Sequence, residues 1–115
     1  MFNFEKLEVW QRAVVFAGLV YRATKAFPAD ERFGLTNQIR RAATSVAANI
    51  AEGSARPPAD FAKFIGYASG SLNEVVTHAT VARNESLLAP TDYVQVYRDA
   101  EEISRMLSGL RKSLE

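Results

Sequence analysis

Apolar residues recur along the chain at intervals of three and four, and no segment shows the sustained alternation of a β-strand. The first such segment runs from about residue 5 to residue 26 and stops before Pro28, because proline disfavours helical geometry in the residue before it. Its main stripe consists of Leu7, Trp10, Val14, Ala17, Tyr21 and Thr24. A second set widens the stripe beyond the needs of one partner helix: Val15, Phe16, Leu19 and Val20. The pattern predicts a first helix with a broad apolar face.

Three further helices follow, separated by short breaks that contain proline. The second is predicted at about residues 36–52, with Thr36 as its N-cap and Gly53 as its C-terminal stop. The third begins near Pro58, whose fixed φ suits a first helical turn. Thr91 is expected to cap the fourth, which extends almost to the end of the chain. Because the links are short, we predict an all-α, up-down-up-down antiparallel four-helix bundle.

The composition is that of an ordinary globular protein, with 48% apolar and 23% charged residues among 115. No Pro-, Gly- or Ser-rich stretch divides the chain, so a single domain over residues 1–115 is predicted. The absence of cysteine argues against a disulfide framework or a thiolate metal site and fits a reducing cytoplasm. The run Ala13–Tyr21 is too short to span a membrane, and the N-terminus lacks the pattern of a secretory signal. We expect a cytoplasmic protein with no membrane partner.

Charge is distributed unevenly around a net value of +1. Residues 1–57 carry eight Lys and Arg against five Asp and Glu, whereas residues 58–115 carry six against eight. A basic first half is able to face nucleic acid, although a difference of this size is also common on plain surfaces. The aromatic residues Phe2, Phe4 and Trp10 leave two interpretations open, stacking on nucleic-acid bases or capping one end of the core.

Candidate catalytic and metal-binding residues are few, because the chain has one histidine, His78, and no cysteine. A di-iron bundle needs Glu-x-x-His on each of two helices and a further Glu from each of the others. Here Val75 stands three residues before His78, and Glu74 stands four before it. No nucleophile elbow, phosphate loop or dinucleotide fingerprint occurs. We therefore predict no enzymatic activity, no metal and no cofactor; a weaker alternative is an enzyme centred on Glu52 or Glu74 with His78.

A line of polar residues follows the second helix on the side roughly opposite its apolar positions. Its members repeat every three or four residues: Gln38, Arg41, Ser45, Asn49, Glu52 and Arg56. Arg40 flanks the line, and the third helix carries a similar cluster in which Ser71 and Glu74 follow Gly70. A glycine inside a helix costs about 1 kcal/mol relative to alanine unless close packing requires it. This surface is either a solvated face or a subunit interface, and the residues leave both interpretations open.

Several stretches of the sequence resemble the motifs of one protein family. They are FEKLEVWQRA at residues 4–13, FGLTNQIRRAA at 33–43, NIAEG at 49–53 and GSLNEV at 70–75. The family consists of four-helix bundle proteins first found encoded in intervening sequences of bacterial 23S ribosomal RNA genes, and its members are often labelled S23-like. The resemblance covers residues 4–80 closely and the remainder by pattern.

The resemblance implies a left-turning up-down bundle that assembles as a homopentamer around a central channel. It also implies kinship with the accessory protein of diversity-generating retroelements, a basic pentameric barrel that associates with nucleic acid and with a reverse transcriptase. No enzymatic activity is established for the family, and the S23 label does not make its members ribosomal proteins. This chain departs from the retroelement relative in charge, because five copies at +1 carry only about +5.

The leading hypothesis is a non-enzymatic homo-oligomeric scaffold, pentameric by resemblance, that binds RNA or DNA through a ring of arginines. Phosphate contacts are predicted at Arg40, Arg41 and Arg56, because guanidinium groups match the geometry of phosphate. Contacts between subunits are predicted at Gln38, Ser45, Asn49, Glu52, Ser71 and Glu74. The alternative is an adaptor that binds another protein without contacting nucleic acid.

Overall fold

Four α-helices account for most of the chain in the computed structural model, which describes residues 1–115. They are α1 Glu8–Ala23, α2 Leu35–Ser54, α3 Pro58–Asn84 and α4 Pro90–Ser113, with short 3-10 helices at Asn3–Lys6 and Ala29–Glu31. Each helix packs against the next, and α4 returns to pack against α1. The longest dimension of the molecule is 42 Å, close to the roughly 40 Å length of a helix the size of α3. The predicted all-α four-helix bundle is confirmed.

One hydrophobic core runs through the bundle and receives side chains from all four helices. α1 contributes Val9, Ala13, Phe16, Ala17 and Val20. The stripe predicted for α1 is therefore partly wrong, because Val14 and Tyr21 are 45% and 43% exposed. Tyr21 lies on the flank of α1 beside α2, where its ring contacts the Arg40 guanidinium. The broad apolar face of α1 contains overlapping stripes, and the buried one is rotated by about a quarter of a turn from the predicted one.

The aromatic residues before α1 pack on one another at one end of the bundle. Phe2 stacks on Phe4 with ring centroids 5.5 Å apart, and Phe4 meets Trp10 edge to face at 5.1 Å. Trp10 packs against the core, whereas Phe2 is exposed. This arrangement favours the interpretation in which these residues cap the end of the core.

The predicted starts of α1 and α4 are each displaced. α1 begins at Glu8 rather than near residue 5, because Asn3–Lys6 form a separate 3-10 turn and Leu7 is extended. α4 begins at Pro90, so Thr91 is the second residue of the helix and not its cap. Proline suits the first position of a helix, because its missing N–H would have no helical acceptor there.

Both predicted ends of α2 are also wrong. The helix begins at Leu35, whose N–H donates to the carboxylate of Glu31 at 3.4 Å. Thr36 lies buried inside the first turn, and its hydroxyl has no hydrogen-bond partner within the protomer. At the other end α2 continues to Ser54, so Gly53 belongs to the helix and does not end it.

Gly53 marks a close approach between α2 and α3. It is buried, and a Cβ atom built on it would lie 2.5 Å from Cβ of Phe64 and 3.0 Å from the ring of Phe61. Earlier in α2, three of the buried positions are the small residues Ala42, Ala43 and Ala47, which alternate with the larger Ile39, Val46 and Ile50. The contact between α2 and α3 is accordingly the most extensive in the bundle.

An ion pair joins the first helix to the last. Nη1 of Arg12 donates to Oε1 of Glu102 at 2.7 Å, and Nη2 donates to the second carboxylate oxygen. The two side chains are 38% and 42% exposed. The hydrogen bond and the charge of Glu102 raise the pKa of Arg12, and the hydrogen bond from Arg12 lowers the pKa of Glu102 below its ordinary value. Both shifts show that the pair favours its charged form in the folded state.

Replacing Gly53 with alanine should destabilise the fold by about 2 kcal/mol, because the added methyl group overpacks the contact with Phe64. The gain in helix propensity offsets only part of this cost. Urea denaturation at a fixed protomer concentration measures the effect. Gly109→Ala is the matched control: it places a methyl group where nothing lies within 4 Å and should leave stability unchanged or slightly higher. Equal effects of the two substitutions would contradict the close approach.

Replacing Glu102 with glutamine should lower stability at pH 7 and make little difference near pH 2. Because the folded-state pKa of Glu102 is lowered, its stabilising contribution is complete above the unfolded-state value of about 4.3 and is lost as pH falls through the folded-state value. Denaturation of wild type and variant at several pH values measures the difference. Glu85→Gln serves as a control, since Glu85 is exposed and forms no ion pair. A wild-type advantage that does not shrink on acidification would rule out the stabilising role.

Candidate subunit interface

The polar line on α2 and the polar cluster on α3 come together at one groove. Gln38, Arg41 and Ser45 of α2 face Ser71 and Glu74 of α3 across a depression of about 420 Å³. The helical spacing of these residues places them on matching flanks of two antiparallel neighbours. Sequence reasoning had assigned all five to functional roles, and the fold brings them into one place.

One side-chain hydrogen bond connects the two helices at this groove, and another side chain of α2 supports it. The hydroxyl of Ser71 donates to Oγ of Ser45 at 3.0 Å. Nδ2 of Asn49 donates to the carbonyl oxygen of Ser45 at 2.8 Å and lies 3.0 Å from its Oγ. All three side chains are half-buried. Short hydroxyl side chains at these positions let the helices approach while leaving polar atoms at the surface.

Glu52 and Arg56 lie beyond the groove, near the C-terminal end of α2. Nη2 of Arg56 is 3.4 Å from the carboxylate of Glu52, and its guanidinium sits 4.8 Å from the ring centroid of Phe64. Phe64 in turn meets Tyr67 edge to face at 5.4 Å. This end of the polar line is therefore a mixed charged and aromatic surface, unlike the uncharged centre.

The three arginines predicted to bind phosphate do not form a cluster within the protomer. Arg40 faces α1, where Nε donates to Oγ1 of Thr24 at 2.9 Å and Nη2 donates to the carbonyl oxygen of Tyr21 at 3.3 Å. Arg41 faces α3 and makes no hydrogen bond or ion pair. Arg56 lies beyond the C-terminal end of α2, which is about 20 Å along the helix axis from Arg41. Only Arg41 has a guanidinium free to take a new partner.

The middle stretches of α2 and α3 carry few charged residues. No charged residue occurs at positions 42–51 of α2, and Glu74 is the only Asp, Glu, Lys or Arg at positions 64–82 of α3. Over their full lengths α2 carries three such residues at positions 35–54 and α3 four at positions 58–84, against eight at positions 90–113 of α4. Depletion of charge with exposed aromatic residues is typical of the centre of a protein–protein interface and not of a solvated helix face.

Tyr67 belongs to this surface, and sequence reasoning missed it. Its side chain is 57% exposed and stands four and seven residues before Ser71 and Glu74 on the same flank of α3. This helical spacing could have identified Tyr67 from the sequence as a member of the same surface. We call the surface formed by the following residues the α2/α3 face: Gln38, Arg41, Ser45, Asn49, Tyr67, Ser71 and Glu74.

No catalytic or metal-binding cluster accompanies this face. Nε2 of His78 lies 3.9 Å from the carboxylate of Glu74. No group of three or more His, Cys, Asp or Glu side chains comes together anywhere in the chain. None of the helices is long and apolar enough to cross a membrane. The absence of enzymatic activity stays a prediction.

The fold and the face define a class of protein: an antiparallel four-helix bundle with a polar, charge-poor surface between its second and third helices. A family model described as 23S rRNA-intervening sequence protein matches residues 5–109. The chain belongs to this family, and the resemblance stated from its motifs is confirmed.

A solved structure shares the fold. It is the 1.70 Å crystal structure of a protein of unknown function from the S23 ribosomal protein family of Bacteroides thetaiotaomicron VPI-5482. It is 24% identical to this chain, with a TM-score of 0.82 over 90% of this chain and 95% of that one. A comparison with curated proteins gives no match.

Replacing Arg40 and Arg41 with alanine, one at a time, should show that Arg40 stabilises the fold and Arg41 does not. Arg40→Ala should lower the free energy of unfolding by about 1–2 kcal/mol, because it removes two hydrogen bonds and the contact with the Tyr21 ring. Arg41→Ala should change it by less than about 0.5 kcal/mol, as expected for a side chain without partners. Urea denaturation of both variants checks this, and a larger loss for Arg41→Ala would contradict the geometry.

Proposed function

We propose that this protein is a non-enzymatic, homo-oligomeric scaffold whose copies contact one another through the α2/α3 face. The observation that carries the proposal is the combination of exposure, charge confined to Arg41 and Glu74, and internal hydrogen bonding on that face. A surface meant only for water would be expected to carry the long charged residues that α4 displays.

Two exposed residues beside the groove support a contact with another helix. Tyr67 offers a large, amphipathic side chain of the kind enriched at interface hot spots. Gly70 is exposed, and a Cβ atom added to it would meet nothing within 4 Å in the protomer. A helical glycine with no packing role inside the protomer costs about 1 kcal/mol. Gly109 shares this property, so it is the position of Gly70 beside Ser71 on the α2/α3 face that links it to a contact with another copy.

The number of subunits that we propose, five, follows from the family resemblance. The free α2/α3 face supports association but does not count the chains, since a ring, a dimer and a filament all cover such a face. The cytoplasmic location and the single-domain organisation also stay predictions.

Binding of RNA or DNA through Arg40, Arg41 and Arg56 also stays a prediction, and the geometry supports it less. Arg40 is held by α1, and Arg56 is paired with Glu52. A phosphate ligand would have to compete with these partners or be bound by Arg41 alone from each copy. The alternative, an adaptor that binds another protein, would use the same charge-poor surface.

Replacing Gly70 with arginine should reduce association between copies, because it places a long charged side chain beside Tyr67 and Ser71. Light scattering across a range of protein concentration and salt measures the mass in solution. Wild type should be a stable oligomer near five protomers, and Gly70→Arg should shift towards the monomer by at least about tenfold in dissociation constant.

Gly109→Arg is the matched control for this experiment. Both glycines are exposed in helices and lie where an added Cβ atom meets nothing within 4 Å. Both variants should therefore keep their helicity, and Gly109→Arg should keep the wild-type mass. A wild type that stays monomeric at all concentrations would overturn the scaffold. Equal loss of mass in both variants would remove the α2/α3 face from the contact.

A further inference from the structure

The solvent-facing side of α1 is apolar over much of its length. No charged residue occurs at positions 13–21. Within this stretch Val14, Val15 and Tyr21 are 45%, 64% and 43% exposed, so a large part of each side chain lies outside the core. The apolar face of α1 is therefore broader than the bundle uses, and the remainder stays on the surface.

The neighbouring flank of α2 continues this apolar surface. Arg40 of α2 contacts Tyr21 of α1, and Thr44 and Ala48 follow Arg40 by four and eight residues on the same side of the helix. Both are exposed, and neither is charged. We call the surface formed by the following residues the α1/α2 face: Val14, Val15, Gly18, Tyr21, Thr44 and Ala48.

The shape of the α1/α2 face suits a further helix. α1 and α2 are neighbours in contact, and the seam between two packed helices accepts the side-chain ridges of a third. Gly18, Thr44 and Ala48 are short and allow a close approach, while Val14 and Tyr21 offer apolar area. The uncharged stretch at positions 13–21 is about 14 Å long, so an ordinary helix would cover it.

Cations lie at one end of the α1/α2 face, and no carboxylate is paired with them. Arg22 and Lys25 are exposed and take part in no ion pair, and Arg40 is held only by uncharged oxygen atoms of α1. The Arg22 side chain lies back over the face, since Nη1 is 3.3 Å from a Cβ atom built on Gly18. Positions 22–41 carry five Lys and Arg against two Asp and Glu, although the whole chain is only +1. This local excess of positive charge favours an acidic occupant.

We propose that the α1/α2 face binds a helix of another protein, apolar along one side and acidic where it meets Arg22, Lys25 and Arg40. Val14 and Tyr21 cover the apolar side of that helix, and the three cations select acidic flanking residues over basic ones. The inference goes beyond the proposed scaffold, because copies meet there through the α2/α3 face and each presents the α1/α2 face to a different protein. A partner with several such helices would then gain affinity from binding several copies at once.

Peptide selection tests the face without an identified partner. A displayed library of helical peptides about five turns long, with randomised surface residues, is selected on the wild-type protein. The enriched peptides are then labelled and their binding is measured by fluorescence anisotropy. We expect apolar residues at spacings of three and four together with a net negative charge.

Replacing Val14 with aspartate tests the apolar part of the contact. Binding of the enriched peptides should weaken by at least about tenfold, because a charge enters the centre of the apolar surface. Val94→Asp is the matched control, since Val94 is also 45% exposed and lies on α4. Circular dichroism checks that both variants keep their helices.

Reversing the charge of Arg22 and Lys25 together tests the acidic character of the occupant. Arg22→Glu with Lys25→Glu should also weaken binding by at least about tenfold, because like charges would then meet. Arg111→Glu with Lys112→Glu is the control, an exposed pair in the last turn of α4. All four substituted side chains are on the surface, so this variant tests the proposal even where Val14→Asp fails to fold.

Loss of peptide binding in the test variants and not in their controls supports the inference. Enrichment of no peptide, or of peptides without net negative charge, overturns it, as does equal loss in the controls. Loss of the wild-type oligomer in Val14→Asp, measured by light scattering, would make this face a contact between copies and also overturn it. Sedimentation with anionic phospholipid vesicles in place of peptide binding would assign the face to a lipid surface. A monomeric wild type that binds acidic helical peptides would support the inference and overturn the scaffold alone.

Discussion

The close approach of α2 and α3 at Gly53 is the constraint on which the surface of this protein depends. Gly53 lets the backbone of α2 come against Phe64, and three alanines among the buried positions of α2 add little bulk to the core. The hydroxyl of Ser71 reaches Oγ of Ser45 at 3.0 Å because α2 and α3 lie this close together. Larger core residues would hold the helices apart and separate the two halves of the polar face. The α2/α3 face is therefore a product of core packing.

The contact of α3 with α4 is less extensive than its contact with α2. Tyr93 and Tyr97 project from α4 near α3, and the hydroxyl of Tyr93 lies 3.2 Å from Oγ1 of Thr80. Bulky residues here keep α3 and α4 from closing as tightly as α2 and α3 do. α4 is also tied to α1 by the Arg12–Glu102 ion pair, which is a directional contact that needs no small residues. The bundle therefore has a closely packed contact between α2 and α3 and a looser one between α3 and α4, and the surfaces over these two contacts differ.

Helical periodicity predicted the number of helices, their order and all the residues of the α2/α3 face except Tyr67. It could do so because a spacing of three or four residues fixes the direction of a side chain whatever it contacts. The same rule could not select between overlapping stripes on α1, where Val14 and Phe16 both fit an apolar face. That choice depends on the rotation of α1 in the assembled bundle, which its own sequence does not contain.

Other features required the tertiary structure. Gly53 fits both a helix stop and a close helix contact in sequence, and only the position of Phe64 decides between them. Arg40 and Arg41 are neighbours in sequence with the same charge, yet one is held by the end of α1 and the other is free. Their difference of about 100° around the helix axis turns one towards α1 and the other towards α3. The sequence does not show which helices lie on either side of α2, so both arginines were predicted to belong to one phosphate site.

Electrostatics favours contact between copies over attraction to a polyanion. A protein that binds nucleic acid through phosphates needs an excess of Lys and Arg, because affinity rises with the number of phosphates neutralised. This chain has a net charge of +1, and several of its basic side chains are already paired or stacked on aromatic rings. The electrostatic field of a chain with this net charge is too weak to attract a charged partner from a distance. The proposed association between copies would then rest on short-range complementarity at the α2/α3 face. The scarcity of charge on the α2/α3 face makes those few charges more selective, since each one left unmatched in a contact would be desolvated without compensation.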